Sequence, residues 1–265
     1  MSRFTLHGFH IVYQPIYQSI APFSPPSQQS EPLPTMFELP SEDPEESGLP
    51  DEFHDFQPKL LRETCKPPDI SPDRYFIGAD LNLYYDTQHT RWYKRPDWFL
   101  VLGVAPVTQQ SDLRLSYVTW QEGRNPFLVI ELLSPGTEAE DLGQTLRDVD
   151  RPPTKWQVYE QMLRVPYYAL FDRYTLEFRL FKLVATRYEE IQLTDRRHWF
   201  DELNLGLGVY PSVYNGVEGM WLRWTDKTGQ LMLNDSESLF QERNRADRLA
   251  AKLRALGIDP DEVDS

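Results

Sequence analysis

The chain has 265 residues, of which 40% are hydrophobic, including 7 Trp, 14 Tyr and 14 Phe, so one sizeable core with extensions is within reach. Its formal net charge of −14 argues against a coat protein that binds nucleic acid non-specifically, but leaves room for an enzyme with a local basic patch. The single cysteine, Cys65, excludes an intrachain disulfide and fits a reducing cytoplasm, and no apolar run of about 18 residues is present to span a membrane.

Residues 1–51 form the first expected segment. The opening residues carry one Arg and lack the long apolar core of a secretory signal. Residues 21–51 are rich in Pro, Ser and Glu, a composition that buries too little apolar surface to offset chain entropy. An extended, Pro-rich acidic arm is therefore expected here.

A folded domain is expected over 52–235. Phe53, Phe56, Leu60 and Leu61 recur at helical spacing, which predicts a helix over 52–65 that ends before Pro67. Strands are then expected over 75–85, 98–104, 113–120 and 127–133, with antiparallel neighbours as the default for such a meander. Thr137 to Glu140 and Thr154 to Gln157 both read as capping boxes. They predict one helix to about Val149, broken by Pro152-Pro153, and a second to about Arg164 with Trp156, Tyr159, Met162 and Leu163 as its buried stripe. A hairpin follows over 167–184, then a strand over 187–193 and short apolar segments at 205–210 and 220–224. In the tail, residues 236–265, a narrow apolar seam (Ala246, Leu249, Ala250, Leu253, Leu256) predicts a charged, coiled-coil-like helix. Such a seam docks either a second subunit, giving a homodimer, or the helix's own domain.

The chemistry centres on two carboxylates. Glu131 interrupts the otherwise apolar run from Phe127 to Leu133, and Asp97 opens the apolar strand after Pro96. Burying an unpaired carboxylate is costly, so a metal ion or an ion-pair partner is required. Alternation along a strand puts Asp97, Phe99 and Val101 on one face, and Val129, Glu131 and Leu133 on one face. If the strands are neighbours, about 4.8 Å apart, both carboxylates reach one oxygen-lined site suited to Mg²⁺ or Mn²⁺. Lys155 is expected at the first position of its helix, where the helix dipole disfavours a cation, with Tyr159 one turn on. Either an anionic substrate favours the lysine there or its head simply lies in water. Arg91, Lys94 and Arg95, interleaved with Trp92 and Tyr93, are candidate contacts to phosphates and bases, or an ordinary solvated strand end.

The motifs Pro96-Asp97-Trp-Phe-Leu-Val, Phe127-Leu-Val-Ile-Glu131-Leu-Leu-Ser-Pro-Gly-Thr, Asp141, Lys155-Trp-Gln-Val-Tyr159 and Val165-Pro-Tyr-Tyr-Ala-Leu-Phe-Asp172 occur in this order. Over roughly residues 50–210 the chain thereby resembles the Uma-two family of proposed restriction endonucleases, a branch of the PD-(D/E)XK nucleases. The resemblance implies an α+β fold with a restriction-endonuclease-like mixed β-sheet core flanked by helices. It implies a Mg²⁺- or Mn²⁺-dependent endonuclease acting on nucleic acid, DNA first, with Asp97 and Glu131 as metal ligands. The superfamily pattern expects a lysine two residues after the acid, where this chain has Leu133; Lys155 is the natural replacement and Gln144 a weaker one. A further acid on the first helix would be Glu63, or else Glu52. His54 reads as structural, and Asp141 as a helix-surface acid or a group at the edge of the site. The alternative is a catalytically inactive nuclease fold serving as a binding or assembly module.

Overall fold

The computed structural model describes residues 51–133, 141–142, 152–257 and 259. The expected acidic arm, most of the helix expected after Thr137, and Gln144 lie outside them.

Helix α1 (Glu52–Thr64) starts at the N-cap Asp51, whose carboxylate accepts from the His54 backbone N–H. Its apolar stripe of Phe53, Leu60 and Leu61 is buried, and the fully buried Gln57 bonds both the N–H and the C=O of Leu222. After it come strands β1 (Tyr75–Gly78), β2 (Leu83–Tyr84), β3 (Tyr93–Lys94), β4 (Trp98–Leu102) and β5 (Tyr117–Val118), a one-turn helix α2 (Thr119–Glu122), and β6 (Leu128–Leu132). The short helix α3 (Lys155–Gln157) runs on into a π-helical turn, Val158–Met162. Strands β7 (Tyr167–Asp172), β8 (Glu177–Val184), β9 (Arg187–Glu190), β10 (Arg197–Phe200), β11 (Leu205–Tyr214) and β12 (Val217–Thr225) follow, and helix α4 (Asp235–Ala255) ends the series.

One mixed sheet carries the architecture, in the order β1-β4-β6-β7-β8-β9. All its pairings are antiparallel except β6 with β7, which is parallel. Within the expected meander β1–β4 and β4–β6 are antiparallel, while β2 pairs with β5 in parallel and corrects the default there; the parallel step from β6 to β7 needs a long crossover, which the stretch from Leu132 to Tyr167 provides. Two three-stranded sheets, β10-β11-β12 and β3-β2-β5, complete the strand set.

Strand alternation sorts the core into two layers. Trp98, Leu100, Leu128, Ile130, Ala169 and Phe171 pack with α1, β11 and β12 on one face. Phe99, Val101, Val129, Tyr168 and Leu170 pack with Val158, Tyr159 and Leu163 on the other. Both faces of β4, β6 and β7 are covered, which is why these strands read as continuous apolar runs.

Three expected elements come out differently. The single strand over 75–85 is two strands in different sheets, β1 and β2. Only Tyr117–Val118 of 113–120 is strand; Leu113 and Leu115 are exposed, so the apparent alternation there serves no core. The helix after Thr154 is α-helical for only three residues before its π-turn, and Met162, expected in the buried stripe, is exposed. In α4 no residue is buried, and Leu249 and Leu256 of the seam are exposed. No helix among the described residues is long and apolar enough to cross a membrane.

Candidate active site

The register of β4 and β6 builds the site. Trp98 pairs with Ile130 and Phe99 with Val129. One step further, Asp97 stands beside Glu131 on the face that packs against Tyr159. The Asp97 backbone N–H lies 3.3 Å from Glu131 Oε2, and Asp97 Oδ2 accepts from the Leu132 N–H at 2.6 Å.

Helix α3 delivers the cation. Thr154 caps it and Gln157 bonds back to the Thr154 N–H, a complete capping box that fixes the direction in which Lys155 leaves the helix. The Lys155 ammonium reaches Glu131 Oε2 at 3.1 Å and Asp141 Oδ1 at 3.0 Å. The second contact is an ion pair without an aligned hydrogen bond. The π-turn that follows aims Tyr159 inward, so its hydroxyl donates to Glu131 Oε1 at 2.8 Å. Asp141, itself buried, is tethered through its carbonyl by the Tyr168 hydroxyl at 3.1 Å. Residues distant in sequence thus meet at Glu131, a fully buried carboxylate.

The electrostatics follow from crowding. Burial pushes the Glu131 carboxyl up, to about 8, against the pull of Lys155 and with further upward pressure from Asp97 and Asp141. Burial also raises Asp97, opposed by Lys155 and His54. Burial would lower Lys155, but Glu131, Asp141 and Asp97 outweigh it and hold the ammonium well above its ordinary value. His54 approaches from α1. Its Nδ1 is 2.8 Å from Asp51 Oδ1, and its Nε2 is 3.1 Å from the Leu132 carbonyl oxygen. Burial would lower its pKa, but the hydrogen bond to Asp51 and the charge of Asp97 raise it to about 8.

Three carboxylates (Asp97, Glu131, Asp141) crowd one lysine, and burial first, then its acidic neighbours, raise the proton affinity of Glu131. Hard oxygen donors of this kind suit Mg²⁺ or Mn²⁺. Among the described residues no group of three or more His, Cys, Asp or Glu is arranged to hold an ion. Asp97 and Glu131 supply two neighbouring carboxylates, and Mg²⁺ is commonly bound through one or two carboxylates while it keeps several waters.

The remaining candidates are placed elsewhere. Glu63 is exposed, and its carboxylate accepts from the Tyr214 hydroxyl at 3.3 Å, which draws it toward β11 rather than toward Asp97. Glu52 is exposed on the first turn of α1. Leu133 is half-buried and donates its N–H to Phe171, leaving no cation at the position the superfamily pattern reserves for lysine. Arg91 is exposed, Lys94 is buried, and Arg95 is paired with Asp80 at 2.6 Å. Tyr159, a candidate substrate contact, is fully buried and spends its hydroxyl on Glu131. Asp141 and His54 are the two residues that sequence reasoning undervalued. Asp141 sat in a polar helical pattern that resembles any solvated face. The signal for His54 was its position three residues after the N-cap, where a side chain can turn back onto Asp51.

A family model described as Uma2, putative restriction endonuclease, matches residues 12–210. No curated protein matches the chain.

Proposed function

The chain belongs to the Uma2 family, and from that premise we propose that it is a divalent-metal-dependent endonuclease hydrolysing phosphodiester bonds of nucleic acid, with DNA the first substrate to test. The observation that supports this reading is the convergence of Asp97 and the half-buried Lys155 ammonium on the buried carboxylate of Glu131. Asp97 and Glu131 are the residues that would hold Mg²⁺ or Mn²⁺. A cation held there would stabilise charge on a phosphoryl oxygen and lower the pKa of the attacking water.

The chain's own residues supply the rest. Tyr159 fixes Glu131 Oε1 and leaves Oε2 directed at Asp97 and Lys155. The Leu132 N–H fixes Asp97 Oδ2. Lys155, kept charged by its carboxylate neighbours, can turn from Glu131 to a phosphate oxygen and offset the negative charge that builds up there. The capping box at Thr154 holds the lysine in reach without a Glu-x-Lys strand, which accounts for Leu133.

The competing reading is an inactive nuclease fold used for binding or assembly. It is favoured by the Lys155 ammonium being held by two carboxylates at once. One experiment separates the two. Full-length wild type, Glu131→Ala and Lys155→Ala are incubated with mixed DNA and RNA, with and without Mg²⁺ or Mn²⁺. Wild type is expected to cleave only with metal, Glu131→Ala to lose cleavage, and Lys155→Ala to lose about a hundredfold or more in kcat. Wild type that binds neither metal at millimolar concentration overturns the enzyme reading. Equal cleavage by Lys155→Ala overturns the role of the lysine alone.

A further inference from the structure

We propose that His54 is a positioning residue for the Asp97–Glu131 pair, acting through the backbone carbonyl of Leu132 in place of a missing strand partner. The inference rests on the metal-site reading above. It starts from the way β4 and β6 part company. Their ladder runs Leu100 with Leu128, Phe99 with Val129 and Trp98 with Ile130. Leu133 turns its N–H to Phe171 of β7, so Leu132, like Ile130, presents its N–H and C=O toward β4. The residue that would face Leu132, two steps beyond Trp98, is Pro96.

Proline has no N–H to donate. The Pro96 carbonyl is engaged elsewhere, accepting from Asp80 at 3.2 Å. Leu132 would therefore have an unpaired N–H and an unpaired C=O at the end of a fully buried strand, which native structures avoid. Two side chains replace the absent partner: Asp97 Oδ2 takes the N–H at 2.6 Å, and His54 Nε2 bonds the C=O at 3.1 Å. Leu132 directly follows Glu131: the peptide that joins them gives its N–H to Asp97, and the next peptide gives its C=O to His54, so Leu132 is held through both of its peptides immediately after the residue that carries the Glu131 carboxylate.

His54 is itself held. Asp51 Oδ1 accepts from its Nδ1 at 2.8 Å, the doubly protonated ring then has an Nε2–H to donate to the carbonyl, and Arg173 pairs with the other Asp51 oxygen. The chain of contacts Arg173, Asp51, His54, Leu132, Asp97 therefore crosses from α1, on one face of the sheet, to the carboxylates on the other.

The test compares full-length wild type with His54→Leu, which keeps bulk and removes the donor, and His54→Gln, whose carboxamide nitrogen takes the place of Nε2. Two quantities are read: Mn²⁺ affinity by titration calorimetry, and exchange of the Leu132 amide hydrogen by NMR without metal. His54→Leu is expected to weaken Mn²⁺ binding by about 10- to 100-fold and to speed Leu132 exchange, and His54→Gln to restore both most of the way. A His54→Leu protein with wild-type Mn²⁺ affinity and wild-type exchange overturns the proposal. Wild type that binds no Mn²⁺ overturns the metal reading instead. In that case unchanged Leu132 exchange in His54→Leu still overturns the grip of His54 on its own.

Discussion

At the scale of single residues, Glu131 shows what a buried carboxylate demands. It gathers a hydroxyl, an ammonium and a backbone N–H. Tyr159→Phe keeps the ring that packs on Tyr168 and removes only the donor. The loss of a hydrogen bond to a buried carboxylate is expected to cost about 1.5–3 kcal/mol of unfolding free energy, measured by urea denaturation. His54 supplies a pH prediction. Its pKa is raised from 6.5 to about 8, so its contribution is fully present below pH 6.5 and is lost as pH rises through about 8. Wild type should lose about 2 kcal/mol more than His54→Gln between pH 6 and pH 9. Equal losses in the two proteins would remove His54 as the cause. Glu131 stood out in the sequence because it interrupts an apolar strand, and Asp97 because it stands between Pro96 and one. Asp141 did not, because a lone acid in a polar helical stretch has no neighbour in the sequence to mark it as buried.

At the scale of elements, short motifs place the lysine. Thr154→Ala removes the N-cap of α3 and is expected to cost about 1 kcal/mol by denaturation. It should also lower cleavage, since Lys155 then leaves a frayed turn. Thr154→Ser, which keeps the hydroxyl, should restore both. The sheet makes a second demand. A Cβ on Gly78 would run into the ring of Phe99, which pairs with it across β1 and β4 and is itself fully buried. Gly78→Ala is expected to destabilise by about 1–3 kcal/mol through overpacking. The capping box at Thr154 and the hairpin of β7 and β8 could be read directly, because turn and cap chemistry is local. The length of β11 and β12 could not be read from apolar runs alone, since exposed and half-buried residues interrupt β11 after Val209 and open β12. Their Asn215-Gly216 turn, with both residues at positive φ, was the better signal. Nothing local announced the π-turn after Gln157, within which Val158 and Tyr159 are fully buried.

At the scale of the whole molecule, the two buried faces of the central sheet divide the work: α1 and the β11–β12 hairpin cover one, and the site with its π-turn lies on the other. The fold class was legible from the family motifs. The parallel step from β6 to β7 was not, because it depends on which strands meet rather than on any one strand's composition. Helix α4 stands apart from both layers. Its seam was read correctly as a helix, but periodicity alone does not say what covers it, and Leu249 and Leu256 remain exposed. What joins it to the body is at its first turn. Arg223 of β12, fully buried, makes a bidentate pair with Glu237 at 2.9 and 2.8 Å and donates to the Met232 carbonyl. The two ends of the tail should therefore behave differently. The described residues from 242 onward include no buried side chain, so removing residues 242–265 should shift Tm by no more than about 2 °C in a calorimetric scan. Glu237→Ala leaves a buried guanidinium unpaired and should cost about 3 kcal/mol, lowering Tm by roughly 6–12 °C. If the truncation proves as damaging as Glu237→Ala, the distal half of α4 is covered in solution, and its seam rather than its first turn secures the tail.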